Sequence, residues 1–142
     1  MTNNRAMFTS KRSDWATPHE VFGPLCDEFG FTLDVCATTE NAKIINFFSP
    51  EVNGLIQKWA PERCWMNPPY GRGMDKWIRK AYHESLHGAL VVVLVPARTD
   101  TKWFHEFVLE KSEIRFIKGR IRFVGAKAGA PFPSMLIIWR PA

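Results

Sequence analysis

The chain has 142 residues, with 19 Lys plus Arg against 14 Asp plus Glu and a net charge of +5. Hydrophobic residues make up 46% and charged ones 23%, which excludes intrinsic disorder, a coiled coil and a collagen-like chain, and the length suits one domain. The longest apolar run, Ala89 to Val95, falls well short of the roughly 18 residues that a membrane span needs.

Residues 1–12 are polar and basic, with neither periodicity nor a hydrophobic signal core. They are expected to form a flexible arm ahead of one domain over residues 13–142, in a protein that stays in the cytoplasm. Thr17-Pro18-His19-Glu20 reads as a capping box with proline at the first helical position. Val21, Phe22, Leu25 and Phe29 follow at helical spacing, and Gly30 ends the helix. Phe31 to Val35 reads as a strand, and so does Arg63 to Met66. Between them only a helical turn at Asn41–Lys43 and a strand at Ile44–Phe48 suggest themselves. Met74, Trp77, Ile78 and Ala81 line one face of a helix that stops at Gly88, and Ala89–Val95 reads as a buried parallel strand. Thr99 or Asp100 caps a second helix with Trp103, Phe104, Phe107 and Val108 turned inward. Strands at Glu113–Ile117, Arg120–Val124 and Ser134–Trp139 complete the pattern of a doubly wound α/β sheet with an antiparallel edge.

Cys26, Cys36 and Cys64 are odd in number and form no CxxC pair, so they read as reduced thiols and not as a disulfide frame or a zinc site. Six Trp, eleven Phe and two Tyr accompany a pI near 9.3, a mixture that fits a nucleic-acid partner. His83-Glu84-Ser85-Leu86-His87 matches the HExxH zinc pattern. Both histidines, however, fall opposite the apolar stripe, among Lys76, Arg79 and Lys80, so they read as surface residues without metal.

The stretch with the most chemistry is Asn67-Pro68-Pro69-Tyr70, directly after a strand and before a helix. In an open α/β sheet, ligands sit outside the carboxyl ends of the strands. Two prolines make a stiff turn. There the Asn67 side-chain oxygen and the Pro68 carbonyl can both accept from one amino group. Tyr70 adds a flat face, on which stacking of a planar ring is worth about 1–3 kcal/mol. The tetrapeptide resembles the catalytic motif of S-adenosylmethionine-dependent methyltransferases that act on planar nitrogen, either adenine N-6 in nucleic acids or glutamine amides.

Other segments narrow that resemblance. In order they are Ser13-Asp14-Trp15-Ala16-Thr17-Pro18, Leu33-Asp34-Val35-Cys36-Ala37, Asn53-Gly54-Leu55, the tetrapeptide with Gly71, and the run from Leu94 to Trp103. Ile117-Lys118-Gly119-Arg120 and the run from Ser134 to Trp139 follow. Together they resemble the small phage-type DNA N-6-adenine methyltransferases, the Dam-like family, over about Asp14 to Trp139. The resemblance implies a compact Rossmann-like class I methyltransferase sheet and S-adenosylmethionine as cofactor. It implies double-stranded DNA as partner, a monomer or weak homodimer without metal, and a GATC-like target. For a phage-encoded protein the compartment would be the host cytoplasm. It places Trp15, Thr17 and Pro18 beside the methionine part of the cofactor, Asp34 and Ala37 on the cofactor loop, and Asn53 at the cofactor's adenine. Asn67 serves both cofactor and target base, and Asn67, Pro68, Pro69 and Tyr70 form the catalytic pocket for a flipped adenine. The loop after Asp34 departs from the wider superfamily, since no Gly-x-Gly follows it.

Arg72, Arg98, Lys102, Lys118, Arg120, Arg122 and Lys127 are expected to hold phosphates, with Arg98 and Lys102 foremost among them. The Gly-rich loop from Gly125 to Pro133 is a candidate DNA-contacting segment. Two further readings differ in class. One keeps the chemistry on RNA adenine or a protein glutamine. The other is a catalytically silent nucleic-acid-binding module.

Overall fold

The apolar stripe of Phe22, Leu25 and Phe29 buries one face of helix α1 (His19–Phe29), and Gly30 ends it in the left-handed region at φ 61°. A computed structural model describes residues 15–142. The expected basic arm, together with Ser13 and Asp14, lies outside the described residues. The capping box does not form. Pro18 is the N-cap, and its carbonyl accepts from Val21 and Phe22, both at 3.1 Å. Thr17 is fully buried and makes no cap. Burial of its hydroxyl elsewhere has overridden the local signature.

Among the described residues, five strands build one sheet: β1 (Leu33–Asp34), β2 (Arg63–Met66), β3 (Leu90–Pro96), β4 (Glu113–Phe116) and β5 (Ser134–Trp139). Their order is β1-β2-β3-β5-β4. The first three run parallel, while β5 lies antiparallel to both β3 and β4. The α/β class and the antiparallel edge expected from the sequence are both present. All seven residues of β3 are buried, the mark of a strand covered on both faces. It runs parallel to one neighbour only, because β5 flanks its other side.

Three expected strands differ. Phe31–Val35 contracts to Leu33–Asp34, although Thr32 and Val35 still donate to the β2 carbonyls of Arg63 and Trp65 at 2.7 and 3.1 Å. Ile44–Phe48 contracts to a single parallel bridge between Asp34 and Phe47. Arg120–Val124 forms no strand, and Val124 lies in a turn. Ala130 donates to the Ile121 carbonyl and Val124 donates to that of Ala16, so its backbone is divided between two segments and forms no ladder.

Helix α2 (Met74–Leu86) buries Met74, Ile78 and Ala81 of the expected stripe together with Ser85, whereas Trp77 stays partly exposed. The second expected helix shrinks to a five-residue π-helical turn, Phe104–Val108. Thr101, in place of Thr99 or Asp100, accepts from the Phe104 amide at 3.3 Å. Leu109 closes the turn on the Phe104 carbonyl at 2.9 Å, and the Trp139 indole takes the Phe107 carbonyl at 2.9 Å. Phe104 and Val108 still face the core. Cys64 is buried, and Cys26 and Cys36 are partly exposed.

Candidate active site

Because β1, β2 and β3 run the same way, their carboxyl ends gather on one edge of the sheet, where a cavity of about 480 Å³ opens. Its size is ordinary for a small-molecule site. Ala16 and Thr17 line it from the segment before α1. Asp34, Cys36 and Ala37 come from the end of β1, and Trp65, Asn67 and Pro69 from the end of β2. Asn53, Gly54 and Trp77 close the far side.

Asn67 is held by its amide group, whose Nδ2 donates to the Trp15 carbonyl. That orientation leaves Oδ1 as an acceptor, buried and without a partner among the described residues, and the Thr17 Oγ1 shares this condition. Each such group costs about 1–3 kcal/mol. Two of them on residues of one cavity mark a place built for a hydrogen-bonding ligand.

Asp34 is 2% exposed, and burial pushes its carboxyl up to about 6. Its oxygens accept from the Cys36 amide at 3.3 Å and the Lys43 amide at 3.0 Å. The carboxylate therefore clips the cavity loop from Val35 to Lys43, doing with a side chain what this loop lacks glycines to do. Buried Asp34 keeps its proton up to about pH 6, whereas in the unfolded chain it releases it near 3.8. The group costs no stability below about pH 4, and the cost completes as pH rises through 6, reaching about 3 kcal/mol. Urea unfolding of Asp34→Asn is expected to lack this decline between pH 4 and 6. Parallel wild-type and variant curves would mean that Asp34 is ionised throughout.

Asn53 has the left-handed φ of 64°, and its side-chain oxygen accepts from the Leu55 amide at 3.1 Å. This Asx turn starts a short 3-10 turn, Gly54–Ile56. The oxygen expected to meet a cofactor amino group is thus already engaged by the backbone. Gly54 is the residue that sequence reasoning passed over. A Cβ there would lie 2.2 Å from the Val35 carbonyl oxygen and 3.3 Å from the Trp77 ring. An Asn-Gly pair signals a turn, but nothing local signals this approach to β1.

Tyr70 was expected to present an open face. Instead it is 9% exposed and stacks on Trp15, with ring centroids 6.2 Å apart and planes at 18°. Phe123 and Phe132 meet it edge-on at 6.3 and 5.8 Å. Its hydroxyl donates to the Leu94 carbonyl at 3.0 Å, and burial raises its pKa far above the ordinary value, so it stays neutral. Pro68 is buried and Pro69 exposed on the cavity wall. Trp15 lies in this aromatic cluster, and Pro18 serves as the N-cap of α1.

The basic residues are exposed. Since β4 also runs parallel to β3, Arg72, Arg98, Lys118 and Arg120 all follow strand ends on the cavity's edge, with Lys102 close behind Arg98 in sequence. Arg120 and Arg122 also brace their own loop, donating to the carbonyls of Ala130 at 3.2 Å and Ala126 at 3.0 Å. Lys127 is exposed in the same loop. His83 and His87 are exposed as expected, and each ring pairs with a carbonyl of its own helix. Glu84 accepts from the Trp59 and Ala60 amides at 2.8 and 3.0 Å.

A protein-family model described as DNA N-6-adenine-methyltransferase (Dam) matches residues 5–142. The chain is 37% identical over 143 residues to the DNA N-6-adenine-methyltransferase of Haemophilus phage HP1 (strain HP1c1), covering 93% of this chain and 83% of that protein. To the DNA N-6-adenine-methyltransferase of Escherichia phage T1 it is 32% identical over 135 residues, covering 83% of this chain and 56% of the relative.

Proposed function

Because the chain belongs to the DNA N-6-adenine-methyltransferase (Dam) family, we propose that it methylates the N-6 amino group of adenine in DNA, with S-adenosylmethionine as methyl donor. Residues 13–142 are read as a single catalytic domain on a Rossmann-like sheet. The parallel β1-β2-β3 run with its cavity at the carboxyl ends supports this reading.

The cavity residues fit the cofactor. S-adenosylmethionine carries ammonium and hydroxyl donors, and Thr17, whose buried Oγ1 has no partner among the described residues, is a wall residue with an acceptor to offer them. Gly54 keeps the wall flat where a Cβ would collide. Thr17, Ala37, Gly54 and Trp77 would hold the cofactor, with Asp34 fixing the loop beneath it. Trp15 and Pro18 act by shaping the Thr17 segment. When bound, the cofactor supplies an electrophilic sulfonium methyl.

The target adenine leaves the duplex at a cost of a few kcal/mol. Asn67 Oδ1 and the Pro68 carbonyl accept from its amino group and hold the nitrogen lone pair in line for transfer. The proton then passes to solvent, so no general base is needed, which agrees with a neutral Tyr70. Orientation of this kind can supply about 7–11 kcal/mol. Stacking of the base on Tyr70 requires the Trp15 ring to give way. Exposed Arg72, Arg98, Lys102, Lys118 and Arg120 meet phosphates along the same edge, assisted by Arg122 and Lys127.

The observation that carries the reading is the unpartnered Asn67 oxygen beside that cavity. Its test is methyl transfer from labelled S-adenosylmethionine to unmethylated duplex DNA. Label is expected as N-6-methyladenine, and mapping the modified positions tests the GATC-like target. Cofactor binding with no label in DNA would move the substrate to RNA or to a glutamine side chain. Absence of both would leave a nucleic-acid-binding module.

A further inference from the structure

We infer that Trp59, held in place by Glu84, is a positioning residue for the cofactor, acting through Gly54 and Trp77; this rests on the cavity being the cofactor site. Trp59 is fully buried in the irregular segment before β2 and does not itself line the cavity. Its indole N–H donates to the Gly54 carbonyl at 2.8 Å, a buried bond. Its ring stacks on Trp77 with centroids 6.3 Å apart and planes at 25°. Both Gly54 and Trp77 are cavity wall. Gly54 is therefore gripped from two sides, by the indole on its carbonyl and by the Val35 carbonyl where a Cβ would sit.

The grip on Trp59 comes from the motif that looks like a zinc site. Glu84 Oε1 accepts from the amides of both Trp59 and Ala60, while Oε2 accepts from Lys80 at 2.9 Å. Lys80 in turn lies 5.6 Å from the centre of the Trp59 ring. Burial pushes the Glu84 carboxyl up, but hydrogen bonds from Lys80 and the two amides together outweigh it and hold the group below its usual range. A helix residue that does not itself line the cavity thereby holds the cavity wall in place. Hydrogen bonds to charged groups of this kind are among the stronger ones.

Trp59→Phe keeps a smaller aromatic ring against Trp77 but loses the N–H together with the second ring of the indole, and calorimetric titration with S-adenosylhomocysteine reads the result. Affinity is expected to fall about tenfold, the equivalent of one buried hydrogen bond. The KM for S-adenosylmethionine should rise equally, while the KM for DNA and the kcat at saturating cofactor stay within about twofold. Glu84→Ala should reproduce this loss. Glu84→Gln, which retains a carbonyl oxygen for the two amides, should restore the affinity, and this pair carries the test even if Trp59→Phe fails to fold. Unchanged affinity in Trp59→Phe and Glu84→Ala, with only a lower melting temperature, would reduce Trp59 to core packing and overturn the inference. A uniform fall in every kinetic parameter would do the same. If the wild-type protein itself shows no saturable binding, the cofactor reading of the cavity fails and takes this inference with it.

Discussion

Replacing Gly54 by alanine is expected to weaken cofactor binding by about 10- to 100-fold, through roughly 1–3 kcal/mol of overpacking. The obstacle is space and not backbone freedom. Gly54 begins a 3-10 turn, and the left-handed residue is its neighbour Asn53. An added Cβ would stand 2.2 Å from the Val35 carbonyl oxygen, a backbone atom at the end of β1 that cannot rotate aside. Relief requires the Asn53–Gly54 turn to back away from β1, and that shift drags the Trp59 hydrogen bond and the Trp77 ring with it. Thermal unfolding and titration with S-adenosylhomocysteine check this together. Wild-type affinity in Gly54→Ala would mean that the turn relaxes without disturbing the site.

Asn67→Ala is expected to lower turnover by at least about 100-fold, the effect of losing alignment at the reacting atoms. The variant should still fold. Removing the side chain deletes a bond to the Trp15 carbonyl, a loss of about 1 kcal/mol. It also deletes the buried unpartnered Oδ1, which offsets part of that loss. Cofactor affinity should change much less than turnover, because the cavity wall retains Thr17, Ala37, Gly54 and Trp77. Labelled methyl transfer read beside cofactor titration separates the two effects. Near-wild-type turnover would remove Asn67 from the reaction.

What the sequence made legible was what depends on local periodicity. The stripes of α1 and α2, the apolar run of β3 and the strand before Asn67 all appear where their spacing puts them. What it concealed depends on partners distant in the chain. Thr17 matches a capping box, yet it lines a cavity whose other walls arrive from four later segments. Tyr70 looks like an open platform until Trp15, 55 positions earlier, stacks on it. Glu84 sits in a zinc-like pattern, and only the fold shows the Trp59 and Ala60 amides on its oxygen. Residues 37–60 resisted assignment because their structure follows no repeat. It is held by single bonds, such as those from Cys36 and Lys43 to Asp34 and from Leu55 to Asn53.

The order β1-β2-β3-β5-β4 also governs how the protein comes into being. The latest strand to be synthesised, β5, occupies a central place, and β4 has no neighbour until it is inserted. While translation proceeds, the apolar edge of β3 stays open and its six later partners, from Ser134 to Trp139, are still inside the ribosome. Such unpaired edges invite association with other chains. Closing the sheet is therefore a late event made of long-range pairings, of the sort that slows folding. The β3 edge of this sheet is covered once β5 pairs with it.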